Sequence, residues 1–196
     1  MCQERVKEYW HSKLSQEATL PSLKFLHPEY LSLTKPHPIW RSLDGNPYQA
    51  KAAKIQALFL SGRYRTQRLS RFWSENKDGI CLLETCKNEN IIEDTRHIIL
   101  RCSGLIETRR RLFIFTSNFI SDKPVLQPIV TAYLYTTNNE DLVMQFILDC
   151  SVLPMVITAY QKYGQIIHEQ LFRVTRTWCR AIHRDRLKAL GLYCHQ

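Results

Sequence analysis

Four side chains with the chemistry of metal ligands lie within one short segment. Cys81, Cys86, His97 and Cys102 follow the spacing C-x4-C-x10-H-x4-C. Three thiolates and one imidazole are a donor set that structural zinc sites use in tetrahedral geometry. The sequence therefore predicts a zinc site at these four residues. The alternative is that the cysteines are small buried apolar residues and that His97 lies at the surface.

The spacing sets a geometric condition on the second half of this site. His97 and Cys102 are five positions apart, or about 500° around an ideal α-helix, so their side chains would point roughly 140° apart. Cys102 must therefore lie where the helix bends or ends, and Ser103 and Gly104 offer a place for such a break. The first cysteine pair is also separated by four residues, which is wider than the usual two.

Two groups of arginines are candidates for binding phosphates. The first group precedes the cysteines and consists of Arg63, Arg65, Arg68 and Arg71. Its neighbours Tyr64, Phe72 and Trp73 are aromatic, and basic residues beside aromatic ones suit a single-stranded nucleic acid, whose bases stack while its phosphates pair. The alternative is that Phe72 and Trp73 are core anchors.

The second group lies near the C-terminus, in steps of three, four and four residues. It consists of Arg173, Arg176, Arg180 and Arg184. On a helix this spacing predicts one continuous basic stripe. Such a stripe would bind phosphates strongly, without sequence preference and with high sensitivity to salt. The alternative is an ordinary solvated helix face.

The net charge favours a polyanionic partner. The chain has 27 Lys and Arg residues against 18 Asp and Glu residues, a formal net charge of +9 at pH 7. An excess of this size is typical of proteins that bind nucleic acid, and less often of proteins that bind a membrane surface. We expect a nucleic-acid partner, RNA or DNA, without strong sequence preference, and no membrane partner.

The cysteine count and the N-terminus bear on the compartment. The seven cysteines are an odd number, which argues against a disulfide framework. The first residues lack the apolar centre of a signal peptide, and no apolar stretch approaches the length that a bilayer requires. We expect an intracellular protein, nuclear or cytoplasmic and not secreted, with reduced cysteines.

The elements that must position these residues are predicted to be helices, because few segments alternate with period two. The sequence predicts a mostly α fold: an irregular helical domain with a small zinc-binding insert and a long C-terminal helix. We divide it into a polar, proline-rich N-terminal extension (1–47), a helix with the Cys-Cys-His-Cys region (48–120), and a C-terminal helical region with the basic stripe (121–196).

Several helix boundaries follow from start and stop residues. Pro47 suits the first position of a helix, and Gly62 suits its end. Asn138 or Asn139 is placed to cap another helix. Pro154 can open the last and longest helix, which runs to about Leu190 with a kink at Gly164.

The sequence around the cysteines resembles the Cys-Cys-His-Cys zinc-binding segment downstream of the reverse transcriptase domain in LINE-type non-LTR retrotransposons. The resemblance rests on "GRYRT" before the cysteines, "EDT" before the His-x4-Cys half, and the arginine-rich "RRR" after it. "SLTKPHPIW" and "VTRTWCRAIHRDRLKALG" extend it to residues 20–191. It implies zinc at Cys81, Cys86, His97 and Cys102, nucleic-acid binding, and the polymerase part of the same polyprotein as a partner.

Residues for catalysis are not recognisable in this sequence. A reverse transcriptase holds its metals on Tyr-x-Asp-Asp, and no adjacent Asp pair occurs here. We therefore expect a non-catalytic, zinc-stabilised nucleic-acid-binding module derived from such a polyprotein. Two alternatives remain open. One is a structural or protein-interaction helical domain with no metal, and the other is a nuclease remnant that uses Asp122, Glu140 or Asp141.

Overall fold

The computed structural model describes residues 23–27, 35–70 and 78–192, together with residues 5, 8, 9, 12, 13 and 16. Helices dominate this part of the chain, which confirms the predicted mostly α fold. No strand occurs within the described ranges, and an isolated β-bridge pairs Ile80 with Ile92 in antiparallel orientation.

Nine α-helices lie in the described ranges. They are α1 (Pro38–Arg41), α2 (Pro47–Leu60), α3 (Gln67–Ser70), α4 (Glu84–Asn88), α5 (Ile106–Ile120), α6 (Leu126–Val130), α7 (Glu140–Asp149), α8 (Pro154–Tyr163) and α9 (Gln165–Ala189). Two π-helical turns and two 3₁₀ turns also occur. These are His97–Arg101 and Thr131–Tyr135 (π), and Ser103–Leu105 and Cys150–Val152 (3₁₀).

Capping residues account for the boundaries of two helices that the sequence predicted. The Asn46 side chain accepts a hydrogen bond from the Tyr48 amide, and Pro47 takes the first position of α2. The chain leaves that helix through Gly62 at φ +64°. Asn139 likewise accepts from the Asp141 amide at the start of α7. Both predicted helices are therefore confirmed.

The predicted longest helix is two helices, and Gly164 is the reason. Gly164 adopts φ +73° and ψ −156°, which is incompatible with helix continuation, so the chain breaks there instead of kinking. The part after it, α9, has 25 residues and is the long C-terminal helix that the sequence predicted.

Helix α9 lies at the centre of the packing, in contact with α2, α5, α7 and α8. Trp178 is 1% exposed, and its indole N–H donates to Thr116 Oγ1 on α5 at 2.9 Å. Gln56 on α2 is fully buried and donates to Thr175 Oγ1 on α9 at 3.0 Å. One apolar cluster runs from Ile39 to Ile182, so residues from all three predicted segments share it.

The proline-rich N-terminal extension is attached to this core by polar and apolar contacts. Ile39 is 1% exposed. His37 Nε2 lies 3.1 Å from the buried Asp149 carboxylate, and His27 Nε2 lies 3.1 Å from the Gln145 side-chain oxygen. Residues 23–27 and 35–47 of the extension therefore form a strap across α7 and α9.

One apolar stretch corrects the expectation about membrane-spanning length. By length and composition the segment Glu140–Tyr163 could cross a bilayer. In the structure, however, the Cys150–Val152 turn and Pro154 divide it into α7 and α8. More than half of its most apolar window is buried inside the protein, which is what core helices give. The length and apolarity of this segment are therefore explained by its position in the protein core.

His168 is a buried imidazole whose ring nitrogens both lack a hydrogen-bond partner. It is 5% exposed and stacks on Tyr160 at a centroid distance of 4.3 Å. Burial, assisted by the positive charge of Arg41, lowers the pKa of His168 to about 4. The nearby Asp149 carboxylate opposes this shift without reversing it, so the ring is neutral in the folded protein at neutral pH.

This ring makes the protein sensitive to acid. The pKa of an unfolded histidine is about 6.5. Between pH 6.5 and 4, therefore, His168 is protonated in the unfolded chain but stays neutral in the folded protein. Stability should therefore fall by about 3 kcal/mol over that window. Urea denaturation at a series of pH values from 7 to 4 measures this decrease in the free energy of unfolding. In the His168→Phe variant most of the decrease should be absent. Some slope should remain from His183, whose pKa burial also lowers. Identical pH profiles for the two proteins would contradict this assignment.

Candidate metal centre and basic surfaces

Cys81, Cys86, His97 and Cys102 converge on one point, as their spacing predicted. Their ligand atoms all lie within 4.8 Å of one another, and all four residues are buried. The Cys81 and Cys102 sulfurs are 3.9 Å apart, and the Cys86 and Cys102 sulfurs are 3.7 Å apart. Around an ion with metal–sulfur bonds of about 2.3 Å, the sulfurs of a tetrahedron would be about 3.8 Å apart. The cluster therefore has the dimensions of a tetrahedral metal site.

A second observation points to a ligand in this cluster. His97 is 4% exposed, and its Nε2 atom has no hydrogen-bond partner. A buried polar atom without a partner is costly, and native proteins satisfy nearly all such atoms. A metal ion bound by this nitrogen and the three sulfurs would remove that cost.

The π-helical turn resolves the geometric condition on His97 and Cys102. The Cys102 amide donates to the His97 carbonyl five residues earlier, at 2.7 Å. This bond widens the turn, so Cys102 comes to lie nearly above His97 instead of on the far side of the helix. Cys102 itself leaves helical geometry at φ −57° and ψ 116°. The prediction that Cys102 lies where the helix ends is confirmed.

The first two ligands are positioned by a short antiparallel loop. The Cys81 amide donates to the Ile91 carbonyl at 2.8 Å, and the Glu93 amide donates to the Gly79 carbonyl at 2.9 Å. The loop between these bonds contains α4, which carries Cys86. This closed loop explains how cysteines separated by four residues both reach the centre. We call residues 78–105 the metal segment.

Hydrogen bonds tune the thiols of the cluster in opposite directions. Burial alone would raise the pKa of Cys86, but the Ser103 hydroxyl and the amides of Ser103 and Gly104 lower it below the ordinary value. A hydrogen bond with Cys102 and burial raise the pKa of Cys81 far above that value. Of these two thiols, Cys86 is therefore the more easily ionised.

Arg109 is a partly buried cation next to this cluster. Its guanidinium donates to the Cys102 carbonyl at 2.6 Å, and its other terminal nitrogen is buried without a partner. Burial lowers the pKa of Arg109, and the Cys102 and Cys86 thiols counteract that shift. The sequence had placed Arg109 only in a basic run, with no signal that it faces the cysteines.

The metal segment is also fixed to the start of α7. Arg96 pairs with Asp141, and Arg101 Nε donates to Glu140 Oε1 at 2.9 Å. Lys24 of the strap pairs with Asp141 as well. These two carboxylates are therefore engaged with cations, and neither joins Asp122 in a candidate metal group within the described residues.

Glu93 connects the metal segment to α9 and to the first arginine group. Its carboxylate pairs with Arg186, and the two side chains are 1% and 6% exposed. One carboxylate oxygen also accepts from the Gln67 amide at 2.7 Å, and the Glu93 carbonyl accepts from the Arg68 amide at 3.1 Å. Gly79 packs closely against the backbone of Arg68, and a Cβ atom at position 79 would lie 3.2 Å from Arg68 Cα.

The first arginine group lies on an exposed segment beside the metal centre. Arg63, Arg65 and Arg68 are at least partly exposed, and Arg68 lies 3.8 Å from Asp94. Arg71, with Phe72 and Trp73, falls outside the described residues.

Tyr64 of the same segment is not available for stacking on a base. It is 4% exposed, stacks on Phe59 at 3.7 Å, and its hydroxyl bonds to His183 Nδ1 at 2.9 Å.

The second group is not one continuous stripe, because Arg176 is buried. It is 2% exposed, and its guanidinium donates to the Ile39 carbonyl, to the Ser42 hydroxyl and carbonyl, and to Gln49 Oε1. Arg176 therefore ties the strap and α2 to α9, and the prediction that it binds phosphate is wrong.

The other three arginines of that group do share one face of α9. Arg173 and Arg180 are exposed, and the Arg184 side chain is 43% exposed. We call Arg173, Arg180 and Arg184 the arginine ridge. Arg184 pairs with Asp185 at 2.7 Å, whereas Arg173 and Arg180 contact no carboxylate of the described chain.

Comparison with known proteins adds no family assignment. No protein-family model, no curated protein and no solved structure matches this chain.

Proposed function

We propose that this protein is a non-catalytic, zinc-stabilised module that binds nucleic acid. The observation that carries the proposal is the buried Cys3His cluster. It is supported by Arg63 and Arg65, which are exposed and pair with no carboxylate of the described chain. The proposed origin is the C-terminal region of a LINE-type retrotransposon polyprotein, supported by the sequence resemblance alone. The proposed location is intracellular, and the polymerase part of the same polyprotein is a proposed partner.

Zinc is the metal that the donor set favours. Thiolates select zinc, monovalent copper or iron–sulfur clusters, whereas imidazole suits zinc, divalent copper, iron and nickel. A closed tetrahedron of three Cys and one His is a common structural zinc site, with no open position for substrate. Three thiolates around a divalent ion leave one net negative charge, and Arg109 supplies a partly buried positive charge beside it.

The proposed role of the metal is to position the first arginine group. Glu93 lies within the metal segment and accepts hydrogen bonds from the backbone of Gln67 and Arg68. A metal that orders this segment would therefore also order the chain that carries Arg63 and Arg65. These exposed arginines, with the arginine ridge, would contact the phosphates.

Salt dependence of binding tests the nucleic-acid proposal. For a strand of about 20 nucleotides of RNA or DNA, we expect the logarithm of the association constant to fall linearly with the logarithm of salt concentration. The dissociation constant should be about 10⁻⁴–10⁻⁶ M near physiological salt. The double variant Arg63→Ala/Arg65→Ala should make the slope shallower by about 0.7 for each phosphate that is no longer neutralised. Fluorescence anisotropy across a salt series gives the slopes.

The matched control is Arg110→Ala, which removes another exposed arginine whose charge Glu107 already offsets at 3.1 Å. Its slope should stay close to that of the unchanged protein. Absence of binding at low salt would contradict the proposal and favour a structural or protein-interaction domain instead.

A further inference from the structure

We propose that Tyr48 and Arg180 form a base-stacking subsite, so that this protein prefers single-stranded nucleic acid over duplex. The inference rests on the proposed nucleic-acid function and specifies its substrate class. It concerns residues that the sequence motifs did not bring together, because Tyr48 belongs to α2 and Arg180 to α9.

Tyr48 is exposed and already stacked on a cation. The residue is 63% exposed, and the Arg180 guanidinium carbon lies 5.1 Å from the centre of its ring. Most of the tyrosine is therefore open to solvent while one side of its ring is held by the arginine. Because an aromatic ring and a guanidinium group both stack on nucleobases, the pair offers a stacking platform at the protein surface.

The platform shares Arg180 with the arginine ridge. A second ring, Phe119 on α5, lies 5.7 Å from the Arg173 guanidinium carbon on the other flank of α9. Lys123 also lies over Phe119, at 4.5 Å. The exposed face of α9 thus has a ring with a cation on each flank. The rise of about 1.5 Å per residue separates Arg173 and Arg180 by roughly 10 Å along the helix.

This combination favours a single strand for a physical reason. Phosphates of either a duplex or a single strand can contact arginines, but only an unpaired base can leave its stack and lie on a protein ring. In a duplex the bases are stacked and paired inside the helix, so Tyr48 would have no base to stack on and would add nothing to the affinity. Tyr64, the described ring of the first arginine group, is buried, so the stacking role falls to Tyr48.

Paired binding measurements on the full, metal-loaded chain test the inference. The probes are a labelled thymidine strand of about 20 nucleotides and a DNA duplex of the same length, at one low salt concentration. Tyr48→Ala should weaken strand binding by about tenfold, the effect expected for one stacked base, and leave duplex binding unchanged. Tyr48→Phe keeps the ring and should keep the affinity.

The control variant is Tyr163→Ala, which removes another exposed tyrosine with a cation over its ring. Tyr163 is 44% exposed, and Lys162 lies 5.0 Å from its centre. It is the last residue of α8, before the break at Gly164, and so it lies outside the two helices that form the platform. Its removal should change neither affinity.

Two results would overturn the inference, and they are distinguishable. Equal affinity for strand and duplex, unchanged by Tyr48→Ala, would reject the stacking subsite and leave the proposed function standing. Absence of binding to either probe would reject both.

Discussion

If the proposed metal is bound, replacing Cys86 by serine is expected to remove it and to lower the melting temperature by about 8–16 °C. A metal present at about a thousandfold its dissociation constant stabilises the folded state by about 4 kcal/mol, and each kcal/mol shifts the melting temperature by about 2–4 °C in a chain of this size. The effect should be large because α4, which carries Cys86, has only five residues and cannot persist without the centre. Mass spectrometry for metal content and thermal melting measure the two effects.

Cys150→Ala is the matched control for this substitution. Cys150 is also a fully buried free cysteine, but it belongs to the turn between α7 and α8 and not to the cluster. The substitution should lower stability by weakening the packing, while the metal content should equal that of the unchanged protein. If the unchanged protein and the Cys86→Ser variant both contained no zinc, the metal assignment would be wrong.

Replacing Glu93 by alanine should destabilise the protein by about 3–5 kcal/mol, because Arg186 would keep a buried charge without its partner. The Glu93 and Arg186 side chains are 1% and 6% exposed, so water cannot take over the role of the carboxylate. The same change frees the amide of Gln67. Urea denaturation should show a lower midpoint with an unchanged slope.

Two further variants separate the effect of the buried charge from that of weaker packing. The double variant Glu93→Leu/Arg186→Met removes both charges and should recover much of the stability. Glu107→Ala breaks the exposed pair with Arg110, in which both side chains are 67% exposed, and should change stability little. A Glu93→Ala protein as stable as the Glu107→Ala protein would show that the buried pair contributes nothing.

The metal cluster and several helix ends could be predicted from the sequence because local chemistry determines them. The four ligands all lie between Cys81 and Cys102, and their donor types have few other uses in combination. The Asn46 and Asn139 caps likewise act on amides two residues away. The geometric condition on Cys102 also followed from helix periodicity, although the π turn that satisfies it did not.

Contacts between distant segments were not predictable in the same way. Arg176 donates to Ser42, which lies 134 residues earlier, and no residue near Arg176 in the sequence predicts that contact. Helix periodicity did contain a weak signal. At about 100° per residue Arg173, Arg180 and Arg184 lie within about 40° of one another, whereas Arg176 lies about 40–80° from each of them. That offset is enough to turn Arg176 toward the strap.

The aromatic residues show the same limit. Tyr64 stands between two arginines in the sequence, yet it packs on Phe59 and bonds to His183. Tyr48 has no arginine among its immediate neighbours, yet Arg180 lies over its ring. Adjacency along a chain does not decide which ring meets which cation, because helix packing brings α2 and α9 together.

The Glu93–Arg186 pair limits how far the metal segment can act as an independent unit. Small zinc domains are often portable, since their ligands and their contacts lie in one short stretch of chain. Here the carboxylate of Glu93, within the metal segment, pairs with Arg186, which lies 93 residues later on α9. Transplanted into another protein, the segment would carry its four ligands but would leave Glu93 unpartnered. The unit that can be inherited or exchanged is therefore the whole helical domain.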